Sequence, residues 1–305
     1  MAVAEEGVFL RKQGIKLPII VLNSEVGGFE ELASYSLEPE VYNFRILDAF
    51  IKEAKLQGIV NYPIHIKIDT GMHRLGFTAE DIPELMKRIR NQTGVRLQSV
   101  FSHLAASESW NFDDFTLEQI KTFKKIASAI ESECHYPVMK HILNSAGIER
   151  FPDEQMDMVR LGISLYGVSA SGKEGLKNVC TLRTTILQIK HIKAGETVGY
   201  GRKGSFDHDA TIATIRIGYA DGISRQFGNG VGSVLINGYI APIVGNICMD
   251  LSMIDITGIE AKEGDPVIIF GDDPSVKELA QRIGTIPYEI LTSISNRVKH
   301  IYYKE

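Results

Sequence analysis

Tryptophan occurs once in this chain of 305 residues, at position 110, and cysteine only three times, at 134, 180 and 248. The cysteines are far apart, odd in number and form no Cys-x-x-Cys pair, so neither a disulfide framework nor a zinc site is expected, and no other metal. No stretch approaches the roughly 18 apolar residues of a membrane span, and the first residues lack a basic segment followed by an apolar run. A cytoplasmic location without membrane attachment is the expectation. Positive charge is also short: 33 Lys and Arg stand against 38 Asp and Glu, a formal net charge of −5, and the basic residues are dispersed. A nucleic-acid partner is therefore not expected, and a small neutral or anionic metabolite is the better ligand. What remains, 44% hydrophobic and 23% charged residues, is the composition of a globular protein with length for two domains.

Up to about residue 170, short apolar runs at 18–23, 41–43, 62–69, 95–103 and 139–144 read as buried strands. Stretches with helical spacing lie between them, at 29–35, 44–57, 79–91 and 117–133, and one precedes them at 5–13. Alternation of this kind predicts a parallel sheet, either doubly wound or a β/α barrel. After residue 177 the texture changes to β-branched runs with period-two alternation at 181–190, 211–217, 232–237 and 266–270, with a helix expected over 275–283. Residues 290–303 are apolar without a clear type. The small-residue segment 169–175 reads as the linker, giving domains 1–175 and 176–305. Because the first helical stretch has no strand unit before it, the barrel is expected to lack its first βα unit.

Several segments carry candidate chemistry. The run Tyr62 to Phe77 passes from a strand into a glycine-containing loop with Lys67, Asp69 and Arg74 clustered at its exit, where barrel enzymes place their chemistry. Alternation puts His65, Lys67 and Asp69 on one face, and a lysine inside a strand needs a partner. For a generic sequence, charges that pair with one another in a solvated loop would explain the cluster equally well. Asn144-Ser-Ala-Gly147 and Arg160-Leu-Gly-Ile163 combine a helix start, a hydroxyl and a glycine turn. Each alone is more often a cap and a turn, but together they make a phosphate cradle. In the second half, Gly199-Tyr-Gly201, Gly218-Tyr219 and Cys248-Met-Asp250 place polar and aromatic groups beside glycines. Single tyrosines of this kind are usually core residues with a bonded hydroxyl, and Cys248 reads as structural.

In order and spacing, Lys67-Ile-Asp-Thr-Gly-Met-His-Arg-Leu-Gly-Phe77, Asn144-Ser-Ala-Gly147, Met158-Val-Arg-Leu-Gly-Ile-Ser-Leu-Tyr-Gly167, Gly218-Tyr-Ala-Asp-Gly222 and Cys248-Met-Asp250 resemble the alanine racemase family over nearly the whole chain. The resemblance implies a (β/α)8-type barrel followed by a mainly β domain. It implies pyridoxal 5'-phosphate as cofactor, alanine as substrate and interconversion of its enantiomers for peptidoglycan synthesis. It also implies a head-to-tail homodimer with shared sites. On it, His103, Asn144, Ser145, Arg160, Gly162 and Ile163 bind the cofactor, Arg160 facing the pyridine nitrogen. A guanidinium does not give up its proton near neutral pH, so the ring stays a weak electron sink and the α-proton is returned rather than diverted to transamination. Arg74 and Lys67 serve the substrate carboxylate, and Lys67 matches a lysine often carbamylated in the family. Tyr200 matches an acid–base group supplied by the partner subunit, while Tyr219, Met249, Asp250 and Tyr288 line the entrance.

The family's covalent lysine sits in a first-strand motif similar to Val-Lys-Ala-Asn-Ala-Tyr-Gly-His-Gly, and no such segment occurs here. The expectation is therefore an N-terminally truncated racemase, inactive on its own, that begins at a second strand formed by residues 2–4. The wording around Gly147-Ile-Glu-Arg-Phe-Pro152 is similar to racemase domains fused behind a cell-wall ligase. Other readings are a racemase of serine or another small amino acid, a non-catalytic pyridoxal-phosphate-binding protein, and an inactive remnant.

Overall fold

The computed structural model describes residues 1–173 and 175–303. They fall into two compact units, Met1–Gly162 with Ser169–Lys173, and Ile163–Val168 with the chain beyond Lys173. Among the described residues no helix is long and apolar enough to cross a membrane.

The first unit alternates helix and strand: α1 (Ala4–Lys12), β1 (Ile20–Val21), α2 (Phe29–Ser34), β2 (Glu38–Val41), α3 (Phe44–Leu56), β3 (Tyr62–Lys67), α4 (Ile82–Arg90), β4 (Val95–Phe101), α5 (Asp113–Glu133), β5 (Met139–His141) and α6 (Ser145–Arg150). The strands pair in parallel and in sequential order, β1 to β5. Ile64, Ile66 and Ile68 of β3 and its exit are fully buried in one cluster with Val8, Phe29, Leu47, Leu85 and Ile120 from α1 to α5. The helices therefore cover a single face of the sheet, which is the arrangement of a β/α barrel wall and not of a doubly wound sheet.

The other face is buried but polar. Glu40, His65, Lys67, Ser99 and His141 are each less than 9% exposed, and the register sets Glu40 beside His65, His65 beside Ser99, Lys67 beside Phe101, and Phe101 beside His141. Polar groups withdrawn from water must find one another, so this face is where the chemistry of the unit collects.

Two local expectations are corrected. The strand expected at 41–43 runs instead over β2, because Asn43 is the N-cap of α3, its side chain accepting from the Ile46 amide at 2.9 Å. Residues 2–4 are not a strand: α1 begins at Ala4, and the ladder-like bonds to β1 and the residues after it come from Met1, which donates to the Ile20 carbonyl at 2.6 Å and accepts from Leu22 at 2.9 Å, and from the Ala2 carbonyl, which accepts from Asn23 at 2.9 Å.

The second unit contains β6 (Leu182–Ile192), β7 (Thr197–Val198), β8 (Gly204–Ser205), β9 (Ala210–Ile215), β10 (Ser233–Ile236), β11 (Tyr239–Val244), β12 (Ser252–Asp255), β13 (Pro266–Phe270), α7 (Val276–Arg282) and α8 (Pro287–Ser293). Six strands close an antiparallel barrel in the order β10-β11-β12-β9-β6-β13, and β7 pairs with β8. Inward Ile215, Val234, Ala241, Ile254 and Val267 fill it. The β10–β11 hairpin turns at Asn237 and Gly238, with φ of 50° and 85°. Both residues adopt the left-handed region that a tight two-residue turn demands. Alternation does not reveal β11, which carries Pro242, or β12, which has four residues and follows the glycine-bearing loop at 245–250.

Candidate active site

Site residues expected from the sequence occur in both units. In the first unit, Arg160 is the centre. Its Nη1 donates to His141 Nδ1 at 2.6 Å and to the His141 carbonyl at 3.3 Å. Its Nη2 donates to the carbonyls of Ser102 and Ile142 and lies 3.3 Å from His103 Nδ1. Among the described residues Nε–H takes no part in these bonds, so one directed donor of the fork stays available for a ligand.

A cation so placed dictates the state of its neighbours. Burial and then the Arg160 charge lower His103 to about 4, and the same two causes lower His141 to about 2. Both rings are neutral at physiological pH. Burial lowers Arg160 itself to about 10, with Glu40 opposing, so the guanidinium remains charged.

The accepted proton at His141 Nδ1 fixes the direction of a longer chain. His141 Nε2–H must donate to Ser99 Oγ at 3.2 Å, Ser99 to His65 Nδ1 at 2.6 Å, and His65 Nε2–H to the Glu38 carboxylate at 2.7 Å. The chain links β2 to β5 and ends on the guanidinium. Phe101 stacks on His141 with ring centroids 4.9 Å apart and planes 2° from parallel, and Arg160 lies 5.2 Å from its centroid.

Beside this, Lys67 Nζ lies 3.0 Å from Glu40 Oε1 and 5.3 Å from the Phe101 centroid. Arg74 is exposed on the loop after β3. That loop is tight: Asp69 accepts from the amides of Gly71 and His73 at 2.9 and 3.0 Å, and Phe77 returns its amide to the Lys67 carbonyl at 2.9 Å. Burial works against the Asp69 charge, but these amides and the His73 ring outweigh it and hold the carboxyl below its ordinary value. A Cβ on Gly76 would lie 2.6 Å from the Asp69 nitrogen, and its φ is 132°, so this glycine of the motif is required.

At the end of β5, Ser145 Oγ accepts from the Gly162 amide at 2.9 Å. The Asn144 side chain accepts from the Gly147 amide at 2.9 Å and from Ser107 at 2.8 Å. Asn144 therefore caps α6 and fixes where Ser145 sits. Ile163, expected beside Gly162, opens the 3-10 turn of Ile163–Tyr166, which belongs to the second unit.

In the second unit the expected residues gather around the 245–250 loop. The Asn246 side chain donates to the Tyr200 carbonyl at 2.9 Å, and Tyr219 and Ala220 donate their amides to the carbonyls of Cys248 and Met249 at 3.0 and 2.9 Å. Gly218 permits this approach, since a Cβ there would lie 2.3 Å from the Met249 oxygen. Arg297 ties Asp221, at 2.9 Å, to Asp250. Ser293, at the end of the helix that carries Tyr288, donates to the Gly222 carbonyl at 2.9 Å. Tyr200 is 72% exposed, and Met249, Tyr219 and Tyr288 are also exposed. Residues missed from sequence are Glu38, Glu40, Ser99 and His141. The available signal was Glu38-Pro-Glu40, whose i, i+2 spacing puts both carboxylates on the face of His65 and Lys67.

A parallel β/α wall with a polar, hydrogen-bond-rich inner face, joined to a mainly β unit carrying an exposed tyrosine, defines a two-domain protein of the barrel class. The family models "Alanine racemase, N-terminal domain" and "Alanine racemase, C-terminal domain" match residues 1–170 and 179–302. The chain is 36% identical over 319 residues to an alanine racemase of Sorangium cellulosum, covering 99% of this chain and 83% of that one. It is 37% identical over 317 residues to alanine racemase 1 of Clostridium acetobutylicum, covering 100% and 81%. Among solved structures, an alanine racemase from D-cycloserine-producing Streptomyces lavendulae superposes with a TM-score of 0.93 at 31% identity, covering 100% of this chain and 82% of that one. One from Bartonella henselae with covalently bound pyridoxal phosphate gives 0.88 at 32%, covering 99% and 84%. The chain belongs to the alanine racemase family.

Proposed function

We propose that this chain is a pyridoxal-phosphate-dependent racemase that interconverts L- and D-alanine for cell-wall precursor synthesis in the cytoplasm. Its working domains are 1–175 and 176–305. The observation that carries the reading is the Arg160 guanidinium, charged and fixed between two neutral histidines, with one donor still available.

The donor set fits the cofactor. Ser145 Oγ and the Gly162 amide are held together at 2.9 Å, and beyond Gly162 a Cβ would meet only Ser145 Oγ, at 3.6 Å, leaving room for a phosphate there. Arg160 donates toward a ring nitrogen and stays protonated, so that nitrogen remains an acceptor. When bound, pyridoxal phosphate supplies the electron sink that acidifies the α-C–H of alanine. Ser145 and the Gly162 amide hold the phosphate, with Asn144 fixing where Ser145 sits, and His103 packs beside the ring. Arg74, with Lys67 behind it, takes the substrate carboxylate.

Racemisation needs a proton-transfer group on each side of the α-carbon. Tyr200 Oη is one of them. Its exposure on its own domain supports action in the site of a second copy, in a head-to-tail homodimer, with Tyr219, Met249, Asp250 and Tyr288 bordering the entrance. The family's covalent-lysine motif is not found between residues 1 and 305, so the second group is not assigned to any of them. The test is a pyridoxal phosphate titration followed by absorbance. Ser145→Ala and Arg160→Ala should each weaken binding about tenfold or more, equivalent to about 1.4 kcal/mol. Unchanged binding in both would remove the cradle.

A further inference from the structure

Glu40 is the most deeply buried carboxylate on the polar face of the first unit, and the proposed chemistry does not use it. Its side chain is 1% exposed, and that of Lys67, its partner at 3.0 Å, is 9% exposed. Both its oxygens are buried without a hydrogen bond of good geometry among the described residues, so the Lys67 contact at 3.0 Å is an ion pair, and Oε2 has no such neighbour. A carboxylate kept in such a place is held there by charge. Burial raises its pKa, and Lys67, then Arg74 and Arg160, act in the opposite direction, all three favouring the ionised form.

We propose that Glu40, rather than a carbamate on Lys67, is the anion of this site, holding Lys67 as a free ammonium and balancing the charge of Arg74. Carbamate formation requires the neutral amine: its lone pair attacks the carbon of CO2, an N–C bond forms, and one proton leaves, giving a carboxylate on nitrogen. An amine that is protonated and paired with Glu40 has no lone pair to donate. The product would also set a second carboxylate against the first in a pocket shielded from water, where like charges repel strongly. Lys67 is held from the other side as well, with the Phe101 ring centroid 5.3 Å from Nζ. Glu40 reaches this position because Glu38 and Glu40 alternate on β2: Glu38 goes to His65 and Glu40 to Lys67. Glu40 is thus a positioning residue that acts on the substrate side of the site through Lys67.

The inference takes its meaning from the placement of Lys67 and Arg74 proposed above. Its readout needs neither cofactor nor turnover, so it can fail while that reading stands. Carbon-13 NMR of the native chain equilibrated with 13C-bicarbonate should show no carbamate resonance. Glu40→Gln should gain one, lost again in Glu40→Gln/Lys67→Arg. A carbamate resonance in the native chain overturns the proposal, as does a folded Glu40→Gln that shows none. If Glu40→Gln does not fold, the native protein still decides: in a 15N-lysine sample the Lys67 Nζ signal should be that of an ammonium and stay unmoved by bicarbonate, and conversion to an amide-like signal overturns the proposal.

Discussion

Replacing Ser99 by alanine isolates the hydrogen-bond chain behind Arg160 without touching any ligand-facing group. Ser99 Oγ is fully buried, accepts from His141 at 3.2 Å and donates to His65 at 2.6 Å. Its loss leaves His141 Nε2–H without an acceptor and His65 Nδ1 without a donor, both inside the sheet face. Each stranded buried group costs about 1–3 kcal/mol, and the longer 3.2 Å bond belongs at the low end of that range. The expected destabilisation is therefore about 2–4 kcal/mol, read as a lower denaturant midpoint with an unchanged slope in the transition that reports the first unit. The Arg160 bond to His141, at 2.6 Å, is untouched by the substitution, so 15N NMR should still find His141 Nδ1 as the acceptor nitrogen. A loss below about 0.5 kcal/mol, on the scale of an exposed surface change, would refute the directed chain.

Acid should destabilise the first unit. His103 and His141 titrate at about 4 and about 2 when folded, against about 6.5 unfolded. The unfolded chain thus binds more protons below pH about 6.5, and stability is complete above that value and falls beneath it. At pH 5 the loss should approach about 2 kcal/mol per histidine in urea unfolding, and a flat profile between pH 7.5 and 5 would contradict the assignment. Gly218→Ala should cost at least about 2 kcal/mol, because the new Cβ meets the Met249 carbonyl at 2.3 Å; calorimetry showing an unchanged midpoint would mean the 245–250 loop yields freely. Tyr200→Phe, in enzyme that turns over, should slow α-proton exchange in 2H2O for one enantiomer of alanine far more than for the other, and equal slowing would count against a one-sided role.

Much of this architecture was legible in sequence because its signals are local. Although the Asn43 cap reads in sequence as the end of a strand, helical spacing and the β-branched runs each depend on a few neighbouring residues. The same holds for the Gly76 and Gly218 motifs, whose glycines are fixed by close backbone approach. The second domain's closed barrel was not legible, since β11 and β12 acquire their identity only from cross-strand partners. Glu38, Ser99 and His141 were missed for the same reason. Each is an ordinary residue on its own strand, and only the parallel register lines them up with His65 and Arg160. Alternation shows that Lys67 needs a partner and resemblance suggests its role, but the carboxylate that pairs with it, Glu40, is a neighbour across the sheet 27 residues earlier in the chain.

The most direct test of the central claim is to incubate the 305-residue chain with pyridoxal phosphate and alanine, reduce with borohydride, and map modified lysines by mass spectrometry while following racemisation. The account predicts cofactor binding that depends on Ser145 and Arg160, with no single lysine labelled. Absence of cofactor binding would contradict it, and so would binding left unaltered by Ser145→Ala and Arg160→Ala.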